Sequence, residues 1–575
     1  MNIGENVFTC ISAGLSFNVS SLNHQNKLLS KICKGERVVH IFGEMEVKPI
    51  TDSFFQETED QVFLFDGVLA NSGDLVTLYG LQDTQSLLKT ALQCNPSRFI
   101  SQFHGQFAGL YLSWQAEEFR IFTNQTNSKR IYFYHSDNIL IAGTSLKTIC
   151  RLILDNGIPL SVDEIGARMI LSFGYTLSDF TTVKEIKQLR AGHYLQYAND
   201  RLDIIQYHQF NNDVLYGNLS QVLPNLDELF RKAVACAFRK DDDNGREHFA
   251  FLSGGLDSRQ TVFTATQLGY EHFTCMNFSQ PGYADETIAR QIARTLGLDL
   301  IFYPLTNGDY LLHVDENLQY NDGQIILHGA AHLFEAISSL NLDRFGILHS
   351  GQLGDVVFGS YLTSSKHEQI NFFRGAYSSQ LLESILPEIE YLKAEYPNHE
   401  LYLLYNRGFN AITNGDLACS VKSCSISPFL YPEFAQLGFN ISPELRYKSH
   451  CYFAWMKQYY PAAARFSWEK TGSNLYTPAL LAQMKQFVHR VMNKAQRSLT
   501  HSPNRQSMNP FDYWWKENHK LRDHFTPQWT IPESMASRLS PDLQKDMRLL
   551  LMQDHFSEKL QVYTLMKGLD YLGLI

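Results

Sequence analysis

Residues 252–258 read Leu-Ser-Gly-Gly-Leu-Asp-Ser, between an apolar run at 249–252 and a stretch with helical spacing at 259–268. A strand that ends in paired glycines and restarts as a helix can close its backbone on an anion. Gly254 and Gly255 bring no Cβ to that approach. Ser253 and Ser258 add hydroxyl donors, and the new helix offers free N–H groups and the positive end of its dipole. Asp257 is the informative residue. A carboxylate beside phosphates repels them unless a cation lies between, so the turn implies Mg²⁺ together with a nucleotide. No G-x-x-x-x-G-K-S/T string occurs, which excludes a kinase-like or GTPase-like phosphate loop. A plain helix N-cap would account for Ser-Gly-Gly alone, but not for the whole string in a strand-to-helix setting.

The string resembles the pyrophosphatase loop of the N-type ATP pyrophosphatases, which cleave ATP between the α and β phosphates. A second string narrows the resemblance. Residues 350–361 read Ser-Gly-Gln-Leu-Gly-Asp-Val-Val-Phe-Gly-Ser-Tyr. Asparagine synthetases and their relatives carry a similar segment after the first loop, and Ser350, Gly351, Gly354, Asp355, Phe358, Gly359 and Tyr361 match it. The resemblance implies ATP and Mg²⁺ as cofactors, with Asp257 and Asp355 as metal ligands. Two hard oxygen donors from two loops suit Mg²⁺. It also implies a nucleotide site built from Leu252, Ser253, Gly254, Gly255, Asp257, Ser258 and Met276, closed by Ser350 and Gly351. Lys470, in Trp-Glu-Lys-Thr-Gly, lies where the family places a lysine against the α-phosphate and pyrophosphate, although a solvated lysine explains that residue equally well. Ser427-Pro428-Phe429-Leu430-Tyr431 resembles the family's Val-Pro-Phe-Leu-Asp. Ala284-Asp285-Glu286-Thr287 resembles its Asp-Glu helix start, but an acidic first turn favours any helix.

These loops need a sheet to hold them. Apolar runs at 249–252, 273–278 and 300–303 alternate with helical stretches at 259–268 and 285–296. That alternation predicts a parallel sheet with crossovers. Residues 221–240 carry apolar residues at helical spacing, and the tail beyond about residue 368 is mostly helical. Before them the grammar differs: short runs at 62–65, 108–114, 119–123, 131–134 and 139–141 are bounded by Gly, Asn, Asp and Ser and read as strands, with a helix at 84–94. The polar stretch 211–218 reads as a linker. The expected fold is α/β and α+β. Residues 1–210 resemble the glutamine amidotransferase domain, an Ntn-hydrolase-like αββα sandwich, and 219–575 the parallel-sheet nucleotide domain with a helical C-terminal part.

The N-terminal resemblance rests on Phe65-Asp66-Gly67-Val68, Gln82-Asp83-Thr84-Gln85, Phe103-His104-Gly105-Gln106-Phe107-Ala108 and Ala191-Gly192-His193. Its departures are chemical. Active glutaminases of this class use an N-terminal cysteine whose α-amino group is the base. Here Cys10-Ile11-Ser12-Ala13-Gly14 resembles their Cys-Gly-Ile-Ala-Gly, but Cys10 is internal to the chain as written. The oxyanion-binding Asn-Gly is Asp66-Gly67, and a carboxylate repels a developing oxyanion. The expectation is a scaffold without glutaminase activity and a structural Cys10.

Composition sets outer bounds. The chain has 575 residues, 44% hydrophobic and 19% charged, with formal net charge -10. An acidic chain without a basic cluster is a poor partner for nucleic acid. No apolar run is long enough to span a membrane, and no secretory signal is legible, so the expectation is a cytoplasmic protein. The 9 cysteines are scattered without a C-x-x-C pair, against a zinc or redox motif.

The expected activity is amide ligation: a substrate carboxylate is adenylated with loss of pyrophosphate, then passed to ammonia or an amine. The carboxylate, on a small molecule, a peptide or a saccharide, stays open, and a homodimer is compatible. Asparagine synthase proper, a lasso-peptide or β-lactam type cyclase, a tRNA-thiolating enzyme and a non-catalytic nucleotide-binding protein are the alternatives. Gln352 bears on the choice. Asparagine synthetases resemble the sequence there with Glu, and β-lactam-forming relatives with Tyr. Glutamine orients by hydrogen bonds but takes no proton. Val356 and Leu353 also replace the usual Glu and Gly. These changes point away from free aspartate, and a Gln at this position resembles relatives that amidate sugar uronates.

Overall fold

The computed structural model describes residues 7–11, 28–34, 37–43, 48–94, 96–136, 139–199, 201–478, 481 and 507–575. Three sheets organise them. A 6-stranded antiparallel sheet runs, in spatial order, Ile186–Gln188, Tyr132–Ser136, Ile139–Gly143, Val7–Ile11, Arg37–Phe42 and Leu28–Lys34. A second 6-stranded antiparallel sheet runs Arg201–Gln206, His193–Ala198, Glu118–Thr123, Gly105–Ser113, Gln61–Leu69 and Phe54–Glu57. A 5-stranded parallel sheet runs Asp299–Pro304, Thr274–Ser279, Glu247–Phe251, Phe345–His349 and Ser425–Ile426.

Strand periodicity explains how the antiparallel sheets stack. Along Gly105–Ser113, Ala108, Leu110 and Leu112 join one core with Val62, Leu64, Val39, Ile41, Leu140 and Ala142 of both sheets. The alternate residues Phe107 and Tyr111 join Phe63, Phe65, Leu75, Leu87 and Leu88 in another core, with the helices Ser72–Tyr79 and Thr84–Gln93. Successive side chains point to opposite faces, and here both faces are buried, so the strands read as continuous apolar runs. Asp83 starts the second helix by accepting the Ser86 N–H at 2.7 Å, a local capping role for that residue.

The far face of the first sheet carries Phe42, Ile139 and Ile141. The helices Leu146–Asp155 and Glu164–Phe173 cover it, together with Pro541–Leu551 and Phe556–Tyr571 from the other end of the chain. Stretch 211–218, expected as a linker, is fastened down. The Leu215 and Tyr216 N–H groups donate to the Asn440 carbonyl at 2.9 and 3.1 Å, and Asn440 Nδ2 donates to Asn211 Oδ1 at 2.8 Å. A Lys240–Asp52 ion pair at 2.7 Å and an Arg130 Nη2 bond to the Asn410 carbonyl at 2.6 Å also tie the halves together. Among the described residues no helix is long and apolar enough to cross a membrane.

Burial holds His104, His193, His208, His328, His332 and His399 down at about 4. A folded-state value below the unfolded one means that the unfolded chain binds more protons in between. Stability is therefore full above the ordinary histidine value of about 6.5 and falls as pH drops from there toward 4. The histidines outnumber the buried carboxyls that act in the opposite sense, so we expect the thermal midpoint to fall as pH drops from 6.5 to 4.5. Midpoints across a pH series test this, and a flat profile in that window would refute it.

Candidate nucleotide and metal site

The strand Glu247–Phe251 ends at the loop and the helix Asp257–Gln267 starts within it, earlier than the residue 259 suggested by the apolar spacing. The loop ties itself off. The Ser253 N–H donates to Ser258 Oγ at 2.9 Å, the two serine hydroxyls lie 2.8 Å apart, and the Gly255 N–H donates to Ser253 Oγ at 3.1 Å. The Gly254 N–H donates to Asp285 Oδ1 at 2.7 Å, and Asn277 Nδ2 donates to Asp285 Oδ2 at 2.6 Å and to the Leu252 carbonyl at 2.9 Å. Three loop N–H groups, those of Ser253, Gly254 and Gly255, are thus engaged by protein partners, and Asp285 does more than favour a helix start. Gly254 is closely packed: a Cβ there would stand 3.1 Å from Asp285 Cα and from Glu469 Cβ.

The second loop lies directly on this turn. A Cβ on Gly351 would stand 2.4 Å from the Ser258 nitrogen, and one on Gly354 2.7 Å from Asp257 Cγ. Glycine at both positions lets two backbones touch. Leu353, where relatives carry Gly, adopts φ 61 with its side chain buried. The Asp355 N–H donates to Asp257 Oδ2 at 3.0 Å. Burial, and then the negative charge of Asp355, push the Asp257 carboxyl up to about 8. The exposed Lys470 ammonium stands 4.0 Å from Asp355 Oδ2.

Two residues outside the motifs brace the pair. Tyr452, buried, sets its hydroxyl beside Asp257. Arg259, fully buried, donates to the carbonyls of Gly254 at 2.9 Å and Ser467 at 2.7 Å, locking the first loop to the segment that carries Lys470. Neither stood out in the sequence, because their partners lie far along the chain.

Leu252, Ser253, Ser258, Met276, Ser350 and Gln352 line one cleft at the C-terminal ends of the parallel strands, the usual ligand position in such sheets. It encloses ≈ 610 Å³ of free space, its open mouth included, within the range of small-ligand sites. Met276 is fully buried, and its carbonyl accepts the Leu252 N–H at 2.8 Å. Gln352 Nε2 donates to the Ile412 carbonyl at 2.6 Å, while its Oε1 is buried without a protein partner. Asp416, in the helix Asn414–Cys419, is an unforeseen member of the lining; burial holds its carboxyl at about 7.

A family model for asparagine synthase matches residues 225–415, a stretch that contains both loops, most of the cleft lining and Gln352. Over that stretch, about a third of its length, the chain is similar to the asparagine synthase family. It is 25% identical over 218 residues to asparagine synthetase [glutamine-hydrolyzing] 3 of Bacillus subtilis (strain 168), covering 36% of this chain and 34% of that protein. The match thus spans about a third of the length of that curated relative. A glutamine phosphoribosylpyrophosphate amidotransferase from B. subtilis, complexed with ADP and GMP, aligns at TM-score 0.23 with 10% identity, covering 52% of this chain and 65% of the other. An allosteric regulatory enzyme of purine biosynthesis aligns at 0.21 with 9% identity, covering 52% and 74%. Such scores do not establish a shared fold.

The Asp355 backbone N–H reaches the Asp257 carboxylate, and burial, then the Asp355 charge, disfavour the ionised Asp257, a cost that a cation between the two loops would relieve.

In the N-terminal part of the chain, Asp66 pairs with Lys129 and accepts from Ser53 Oγ at 3.2 Å. Its charge is therefore partly neutralised, which the sequence did not reveal. Cys10 lies inside the strand Val7–Ile11, its backbone opposite Val39 and Leu140. Its side chain, like residues 1–6 and 12–14, lies outside the described residues.

Proposed function

We propose that this chain is an ATP-dependent amide ligase that converts a carboxylate to its acyl-adenylate, releases pyrophosphate, and passes the acyl group to ammonia or an amine. The observation that carries this reading is the contact of the two acidic loops, Asp257 on Asp355, beside the cleft. Mg²⁺ held by those carboxylates would supply positive charge to the leaving pyrophosphate. Lys470, 4.0 Å from Asp355, adds a second positive charge on the same side. Ser253, Ser258 and the N-terminal turn of helix Asp257–Gln267 cradle the phosphates, and the Met276 strand end lines the space for the base. Gln352, with its free Oε1 toward the cleft wall, orients the acceptor. We take residues 1–210 as an Ntn-like amidotransferase scaffold and 219–575 as the synthetase unit.

A screen for pyrophosphate release with ATP, Mg²⁺ and a panel containing aspartate, glucuronate and galacturonate, with ammonium or glutamine, tests the reading. We expect pyrophosphate and AMP with an acid other than aspartate, ammonium as the effective donor, and no glutamate from glutamine. Asparagine formed from aspartate at about 1 s⁻¹ or faster would restore plain asparagine synthetase activity. Pyrophosphate from no acid would favour a nucleotide-binding protein without catalysis.

A further inference from the structure

Forming the amide requires more than leaving-group chemistry. As the amine lone pair forms the C–N bond, the C–O bond to the adenylate phosphate breaks, and its electron pair leaves with AMP. The nitrogen must then give up a proton, so the cleft needs an acceptor. Gln352 is neutral and holds the Ile412 carbonyl. Of the carboxylates that line the cleft, Asp285 has both oxygens occupied, one by the Gly254 N–H at 2.7 Å and the other by Asn277 Nδ2 at 2.6 Å. Asp257 and Asp355 are committed to the metal in the reading above.

Asp416 remains. It is 5% exposed and lines the same cleft as Gln352, whose Nε2 lies against the adjoining Gly415, where a Cβ would stand 2.8 Å away. It also borders a second, polar cavity lined by His104, Gln125, Thr126 and Ser427, and it shares with Ser425 the wall between the two.

We propose that Asp416 is the general base of the second half-reaction, taking the proton from the attacking nitrogen as the C–N bond forms. This rests on the ligase reading. Burial keeps the carboxyl at about 7, with the Ser425 hydroxyl as its hydrogen-bond partner, which suits an acceptor working near neutrality. The titratable groups near it are the thiols of Cys419 and Cys424, both held well above neutrality by burial, and His104 across the second cavity, held down at about 4. They stay uncharged while Asp416 titrates.

The experiment uses the full chain with Asp416→Asn and Asp416→Glu, ATP, Mg²⁺, and the panel of aspartate, glucuronate and galacturonate. The nucleophiles are ammonium, and hydroxylamine, which is largely unprotonated at neutral pH and loses its proton readily to water. We expect Asp416→Asn to keep acid-dependent ATP–pyrophosphate exchange and hydroxamate formation within a few fold, and to lose ammonium-dependent amide formation about 10²-fold or more. At a fixed concentration of free ammonia, the rise of the wild-type amide rate through about pH 7 should disappear with it. Asp416→Glu should restore part of the rate. Near wild-type amide formation in Asp416→Asn overturns the assignment, as does an equal loss of exchange, hydroxamate and amide in a folded protein. Wild-type exchange with no acid of the panel overturns the ligase reading itself, and is separate from either result because it appears before any nucleophile is added.

Discussion

Asp257→Asn and Asp355→Asn should each reduce Mg²⁺-dependent pyrophosphate release by about 10³-fold or more, the scale expected when charge stabilisation of a leaving phosphate is lost. Neither change should unfold the protein. An asparagine at 257 can still accept the Asp355 N–H that now reaches Asp257 Oδ2 at 3.0 Å. It also removes a carboxylate that burial and Asp355 together disfavour. The thermal midpoint of Asp257→Asn should therefore equal or exceed that of the wild type, the signature of a site that sacrifices stability for function. Calorimetric midpoints beside pyrophosphate assays read both quantities. Near wild-type turnover in either variant would remove the two-loop metal site. A marked drop in midpoint for Asp257→Asn would mean that the charged carboxylate supports the fold.

The second large effect lies away from the cleft. Arg446 and Glu400 are 0% and 1% exposed and face one another, with Arg446 Nη2 2.9 Å from Glu400 Oε2. Arg446 Nε also donates to the Ile441 carbonyl at 2.9 Å, and Asn212 Nδ2 donates to Glu400 Oε2 at 2.9 Å. Arg446→Ala leaves a buried carboxylate without its cation, which costs about 3–5 kcal/mol. We expect a fall in midpoint of roughly 5 °C or more. Replacing both partners, Arg446→Met with Glu400→Gln, should recover most of it, because two neutral groups carry no uncompensated charge. Arg446 Nη1 also lies 3.4 Å from the Val357 carbonyl of the second acidic loop, so Arg446→Ala should weaken pyrophosphate release as well. A single variant within about 1 kcal/mol of wild type would show that the pair is solvated or replaceable.

What the amino-acid order determined by itself was local. The strand-turn-helix around Ser253-Gly254-Gly255, the acidic second loop, and the alternation of strands with helices after residue 247 all depend on neighbours within a few positions. Glycine, serine and aspartate carry their conformational and charge preferences wherever they stand. Tertiary structure decided what those residues meet. It turned the Gly254 N–H toward Asp285 rather than open space, and it made Gly351 and Gly354 the contact between loops. It placed Arg259 under the segment that carries Lys470, and Asp416 in the same cleft as Gln352. It also laid the helix Phe556–Tyr571 over a sheet formed from the opposite end of the chain. Each of these pairs residues that are remote in sequence. Such contacts follow from which apolar faces the packed layers bury together, and no local pattern of residues records that choice.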